Sequence, residues 1–296
     1  MPEQRSRLEV RTGTRVLTYQ VAGPDDGLPV FLLHGTPGSS SGPRPRNIVL
    51  HRLGIRLISY DRPGYNGSTR LPDRRVADAA DDVGILVKHL GLHRYGVVGR
   101  SGGGPHALAV AAQRPDEVIA AAVLVSVAPA DAPDLDWFGG MADSNVEAYT
   151  IADASPTTLA ERIRLRAERI RRDPESLIEV LRDELRDPDR RIVDDTSIRR
   201  LLAETYAEAL RLGADGWIDD ALALRGNWGF DLGDITAPVR LWHGEDDNFS
   251  PVSHTRWLAR QLARCEVQVQ PGAAHFGAME ILPQMLDWLK SRTAPA

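Results

Sequence analysis

Tyr95-Gly96-Val97-Val98-Gly99-Arg100-Ser101-Gly102-Gly103-Gly104-Pro105-His106-Ala107-Leu108 is the stretch on which the fold turns. Its first part is a short apolar run, of the kind that forms a strand buried on both faces. Glycines follow, and then an alanine-rich run reaches about Arg114, with Pro115 just beyond. A proline at that place closes a helix. The stretch thus reads as strand, tight turn and helix.

The turn carries Gly99-Arg100-Ser101-Gly102-Gly103, a G-x-S-x-G pattern. Between a strand and a helix, this pattern forms a sharp elbow that holds the serine in strained backbone angles and presents its hydroxyl at the sheet edge. Gly99 and Gly103 leave room for neighbouring backbone to approach. The N–H of Gly102, at a helix N-terminus, is placed to face a developing oxyanion.

Outward from the elbow, strand and helix alternate. Pro29 to Leu33, Ile55 to Tyr60 and Val118 to Val127 are further apolar runs, each ending in turn residues. Between the second of them and the elbow strand, Val76, Ala79, Ala80, Val83, Leu86, Val87 and Leu90 recur at helical spacing. Asp73 is expected to cap that helix, and Gly91 follows its end. Short joints between alternating elements imply an α/β protein with a parallel sheet and right-handed crossovers.

The alternation stops from about Asp134 to Asn227, where only helical pattern appears. Ser155-Pro156 and Asp173-Pro174 each read as an N-cap followed by proline at the first helical position. Leu177, Ile178, Leu181 and Leu185 form one stripe, and Ile198 to Leu212 form another, closed by Gly213. The many charges of this block read as solvated helix surface. Strand pattern returns at Val239 to His243 and Glu266 to Val269, and a last helix runs from Met279 to Leu289. The organisation is a core of residues 1–133 and 228–296, interrupted by a helical block of residues 134–227.

Bulk properties narrow the function. The chain has 296 residues, 42% apolar and 26% charged, as in ordinary globular proteins. A formal net charge of −5 gives no argument for nucleic acid, which usually demands a basic surface. The single cysteine, Cys265, can form no disulfide within the chain and is expected to be buried and inert. The polar stretch Met1 to Val10 has no apolar core of a signal peptide, and Val118 to Ala128 is too short for a membrane helix. These features suggest a cytoplasmic address and no membrane. Oligomeric state cannot be read.

A serine needs a base within hydrogen-bond reach. Of the eight histidines, His275 lies in the small-residue loop Pro271 to Gly277, after the last expected strand. Such a loop can bring an imidazole back over the sheet edge. His34 and His243 close strands and suit structural hydrogen bonds better. His51, His89, His93 and His254 are expected on or near helix surfaces, and His106 on the elbow helix, facing away or packing. The acid that orients the base is expected in Gly244 to Pro251, where Asp247 is the candidate, with Asp246 and Asp131 as rivals. His34-Gly35-Thr36-Pro37-Gly38 makes a rigid loop, and the Thr36 N–H is the candidate for a second oxyanion donor.

These segments together resemble the α/β-hydrolase superfamily, in its cap-bearing serine hydrolase branch of esterases and proline iminopeptidase-like enzymes. The resemblance rests on His34 to Gly38, Asp61 to Ser68, the elbow, Gly244 to Pro251 and Gly272 to Gly277. It implies the α/β-hydrolase fold, a mostly parallel sheet flanked by helices, with the helical block lidding a pocket. It selects Asp247 over Asp246, and Thr36 as oxyanion residue. The implied activity is hydrolysis of an ester or related acyl bond of a small molecule. A lyase, cyclase or C–C bond hydrolase, or an iminopeptidase-type aminopeptidase, are the alternatives. No cofactor or metal is implied, and a serine nucleophile sets the chain apart from epoxide hydrolases and haloalkane dehalogenases.

The chain departs from the family pattern at places. Asn66 stands where glycine is common, and His34-Gly35-Thr36 where iminopeptidases show His-Gly-Gly. Arg100 replaces a frequent histidine or tryptophan. Its guanidinium is expected to pair with a core acid, the alternative being contact with an anionic substrate group. Trp137 and Phe138 are candidate substrate-binding residues. With Met141, Tyr149, Trp217 and Trp228 they would supply an apolar pocket wall, or else pack within the helical block.

Overall fold

The computed structural model describes residues 7–293. Eight strands form one sheet: β1 (Leu8–Thr12), β2 (Arg15–Ala22), β3 (Leu28–Leu33), β4 (Ile55–Tyr60), β5 (Tyr95–Arg100), β6 (Val118–Leu124), β7 (Val239–Gly244) and β8 (Cys265–Gln270). Their order is β1-β2-β4-β3-β5-β6-β7-β8. The pairs β1–β2 and β2–β4 are antiparallel and all the others are parallel. The β1–β2 hairpin was not foreseen from sequence. Only Val10 of β1 is buried, so its strand signal is weak.

Alternate side chains of each central strand point to opposite faces of the sheet. Phe31 and Leu33 of β3 pack with Val97, Val123 and Leu241 on one face, while Val30 and Leu32 pack with Val98, Ala122 and Leu124 on the other. The first face is covered by α2 (Ala79–Leu90), α3 (Gly103–Gln113) and α10 (Val252–Gln261), and the second by α1 (Asn47–Leu53) and α11 (Gly277–Ser291). Burial on both faces is why these strands read as unbroken apolar runs.

Between β6 and β7 every element is helical: α4 (Asp143–Ala154), α5 (Pro156–Arg172), α6 (Ser176–Arg182), α7 (Asp187–Val193), α8 (Thr196–Ala209) and α9 (Asp215–Arg225). These helices hold an apolar cluster of their own, which includes Ile163, Leu177, Leu202 and Ile218 and reaches Tyr65 and Phe249. No helix among the described residues is long and apolar enough to cross a membrane.

Several local expectations are corrected. Asp73 has φ +58° and lies in a turn. A short 3-10 turn, Val76–Asp78, leads into α2, and the Asp78 carboxylate accepts the Arg75 N–H at 2.7 Å. Ser155 does cap α5, accepting the Thr158 N–H. The helix after Asp173 starts only at Ser176, with Asp173 accepting the Glu175 N–H in the preceding turn. Leu185 falls outside α6, so the expected stripe breaks. Cys265 is half-buried on the edge strand β8. Burial, assisted by the Glu266 charge, pushes its thiol up to about 11, so it stays protonated. His254 is fully buried in α10, where Nδ1 accepts the Ala128 N–H and Nε2–H donates to the Trp137 carbonyl.

Candidate active site

The C-terminal ends of the parallel strands bring Thr36, Arg100, Ser101, Gly102 and His275 to one cavity of about 160 Å³. Ser101 follows β5 with φ +53°, the strained elbow that the sequence predicts. The turn is held by the Ser101 N–H donating to Leu124 O at 2.9 Å and the Gly104 N–H donating to Ser101 O at 2.8 Å. A Cβ on Gly99 would collide with Gly103 O and stand 2.7 Å from Ala107 Cβ, so the strand and helix meet there only through glycine.

His275 stands in the loop between β8 and α11, and Asp247 in the loop between β7 and α10. His275 Nδ1–H donates to Asp247 Oδ2 at 2.8 Å. The other oxygen, Oδ1, accepts the N–H groups of Phe249 at 2.8 Å and Ser250 at 3.0 Å. Burial alone would raise the Asp247 pKa; the His275 charge and the histidine hydrogen bonds outweigh it and hold the carboxyl ionised. Burial likewise opposes charge on His275, yet Asp247 overrides it and lifts the imidazole above its ordinary value. The rivals Asp246 and Asp131 are both exposed.

Ser101 and His275 line the same cavity. Among the described residues no hydrogen bond links the Ser101 hydroxyl to the His275 ring, so the acid–base half of the line is made and the serine half is open. Unliganded sites often tighten this contact only when substrate arrives.

Thr36 and Gly102 also line the cavity, and neither backbone N–H has a partner among the described residues. A Cβ on Gly102 would stand 2.9 Å from Thr36 Cβ, which places the two residues against each other. Arg62 clamps the Thr36 loop from behind. Its Nη1 donates to His34 O at 2.5 Å and its Nη2 to Gly35 O at 3.0 Å. Carbonyls drawn outward in this way leave the loop's N–H groups free to face the cavity.

Arg62 is balanced by Asp220 of α9, which no sequence signal pointed to. Asp220 accepts from Arg62 at 2.5 Å, Arg74 at 2.6 Å, the Thr36 hydroxyl at 2.6 Å and the Tyr65 hydroxyl at 2.8 Å. Burial would raise its pKa, but the two guanidinium groups hold it well below the carboxylate range. Asp189 of α7 is also buried, against the His275 loop. The charges of the helical block are therefore not all solvated. A helix-borne acid looks alike in sequence whether it faces water or a distant arginine.

His34 is a loop fastener. Its Nδ1–H donates to Gly35 O at 2.8 Å and its Nε2 accepts the Arg62 N–H at 3.2 Å. His243 is buried, paired with Thr255 and Ser250 and 3.2 Å from Asp247. His106, buried in α3, bonds to Gly102 O at 2.7 Å.

Trp137 and Phe138 do not line the cavity. Trp137 is buried in the core against His254 and Tyr149, and its indole N–H donates to Ala128 O at 2.9 Å. Phe138 packs edge-on against it, below the Arg225 guanidinium. Tyr149 and Trp217 are the aromatics of the helical block that reach the cavity wall together with Tyr206. Arg100 reaches the cavity as well, and the core acid expected to pair with it is not there. No described carboxylate lies within ion-pairing distance of its guanidinium. Among the described residues no three His, Cys, Asp or Glu side chains gather as a metal site.

Comparison with known proteins adds the following. The family model for the alpha/beta hydrolase fold matches residues 29–280. A bifunctional esterase/perhydrolase of Acinetobacter calcoaceticus is 35% identical over 112 residues, 38% of this chain and 41% of that protein. A proline iminopeptidase of Arabidopsis thaliana is 31% identical over 146 residues, 48% of this chain and 38% of that protein. The chain thus matches about two fifths of the length of these relatives. The structure of a thermophilic esterase from Thermogutta terrifontis superposes with a TM-score of 0.70 at 23% identity, over 98% of this chain and 100% of that one.

Proposed function

Because the chain belongs to the alpha/beta hydrolase fold family, we propose that it is a serine hydrolase that cleaves a small carboxylic ester or related acyl bond through an acyl-enzyme. The observation that carries this reading is the 2.8 Å bond between His275 and Asp247 on the cavity that Ser101 also lines. Ser101 attacks the acyl carbon as His275 Nε2 takes its proton. The Thr36 and Gly102 amides receive the oxyanion. His275 then protonates the leaving alcohol, and the acyl-enzyme forms. A water, deprotonated by His275, releases the acid and restores the serine. Asp247 fixes the imidazole tautomer and stabilises the imidazolium in both halves. The helices α4 to α9 act as the cap over the site.

An aminopeptidase would need an acid to receive a free α-amine. No Asp or Glu among the described residues lines the cavity, which is why ester cleavage is placed first. A lyase or C–C hydrolase could use the same triad, and trapping of a covalent acyl-enzyme from an activated ester separates these. The direct test is Ser101→Ala with p-nitrophenyl acetate and a fluorophosphonate probe. Turnover and labelling should both vanish from a protein that remains folded by circular dichroism. Full turnover by the folded variant would sink the proposal.

A further inference from the structure

The chain is acidic overall, with 41 acidic against 36 basic residues. The cavity wall reverses that balance: it holds Arg100 and Arg166 and no acid among the described residues. Elsewhere in the helical block some arginines are paired, and others, such as Arg164, Arg171 and Arg191, stand on the exposed surface. Arg162 meets Glu147, Arg182 meets Asp194, Arg200 meets Glu204 and Arg225 meets Asp153. The two arginines that line the cavity, Arg100 and Arg166, have neither an ion pair nor a hydrogen bond with a described residue.

The two cations come from different elements. Arg100 ends β5, beside the nucleophile, and Arg166 lies on α5. Tyr206 of α8 adds a phenol to the same wall, and its hydroxyl also has no hydrogen bond with a described residue. Ile163, Leu177 and Leu202 fill the wall around them. Burial lowers the Arg100 pKa, and only the Tyr206 phenol opposes that. A half-buried guanidinium with no counter-charge is costly unless a ligand brings the anion.

We infer that the cavity takes a small ester whose acyl group carries a carboxylate of its own, received by Arg100 and Arg166 with the Tyr206 hydroxyl. The planar guanidinium fork matches a carboxylate in two-point contact. The acyl half stays in place through acylation and deacylation, so a fixed pair of cations serves both steps. The size agrees: an engineered cavity of about 150 Å³ holds benzene, so about 160 Å³ suits a short acyl chain. The inference rests on Ser101 being the nucleophile.

The test compares kcat/KM for mono-p-nitrophenyl glutarate and p-nitrophenyl pentanoate, which have acyl chains of equal length. It also measures glutarate and inorganic phosphate binding to Ser101→Ala by calorimetry. The wild type should prefer the glutarate ester by about tenfold or more, the worth of a charge-assisted contact. Arg166→Met should erase that ratio, and Arg166→Lys should restore part of it. Ser101→Ala should bind glutarate more tightly than phosphate. An equal or reversed preference in the wild type overturns the inference, as does phosphate binding as tightly as glutarate. Turnover of neither ester with glutarate still bound removes the hydrolase reading and supports the carboxylate site. Turnover of both without discrimination does the opposite. If Arg166→Met does not fold, the wild-type ratio and the Ser101→Ala binding still decide.

Discussion

Asp189, on α7 of the helical block, accepts the backbone N–H of His275 at 3.0 Å, and its other oxygen accepts that of Phe276 at 2.8 Å. The candidate base is thus held from two sides. Asp247 of the sheet edge binds its ring, and a helix between β6 and β7 binds its main chain. Burial pushes the Asp189 carboxyl up to about 6, although the nearby His275 and both N–H groups pull it down.

Replacing Asp189 with Asn should therefore loosen the His275 loop, because the amide NH₂ then faces one of the two N–H donors. A fall in kcat of about tenfold is expected, from loss of positioning, with KM changed less. Stability gives a second readout. The carboxyl of the folded protein titrates above its unfolded value of 3.8, so between pH 3.8 and about 6 the native state binds the extra proton. Stability from this group is present at low pH and is lost as pH rises through that window. Urea unfolding of Asp189→Asn should lack this loss. An identical pH dependence in the variant and the wild type would count against the assignment.

As the proposed general base, His275 should set the acid limb of activity. Its pKa lies above 6.5, since the opposing Asp247 charge wins over burial. The general base works only when neutral, so kcat/KM should rise with pH with an apparent pKa above 6.5. Its charged form is stabilised by folding, so this group's contribution to stability is full below 6.5 and lost as pH rises through the folded value. In Asp247→Asn only the Asp189 charge is left to oppose burial, and the limb should move to lower pH while kcat drops about 10⁴-fold. A pH–rate profile unmoved in the variant would refute the pairing.

Asp220 neutralises two buried arginines, Arg62 and Arg74. Asp220→Ala strands both charges and should cost about 3–5 kcal/mol of stability, measured as a drop in the urea midpoint with unchanged slope. Thr36→Val deletes the hydroxyl's bond to this carboxylate and the weaker 3.3 Å bond it accepts from Arg62 Nη2, and keeps the backbone N–H. Its activity should stay within about tenfold of wild type, given a net hydrogen-bond worth near 1 kcal/mol. Loss of all activity in a folded Thr36→Val protein would mean that the hydroxyl, not the amide, is what matters.

Gly102→Ala tests the approach of the two amides. The added Cβ would collide with Thr36 Oγ1, which Asp220 holds in place. The loop must move, and kcat should fall about 10²-fold or more, the usual consequence of a lost oxyanion donor, with KM and thermal stability affected far less. Unchanged kcat would show that Thr36 and Gly102 do not act together.

The sequence alone was enough for the sheet's central strands and the elbow at Ser101, and it put His275 and Asp247 on loops that follow strands, with the family resemblance choosing Asp247 over its neighbour. Each of these is written locally, as an unbroken apolar run, a glycine spacing, or a loop placed after a strand. Local pattern could not show that Arg100 meets no acid among the described residues, that Trp137 and Phe138 turn into the core, or that Asp189 and Asp220 leave water for the site. Those outcomes depend on which helix of the 134–227 block packs over which strand end. A charge on a helix is cheap in water and valuable beside a buried partner, and only the tertiary structure decides which neighbour it meets.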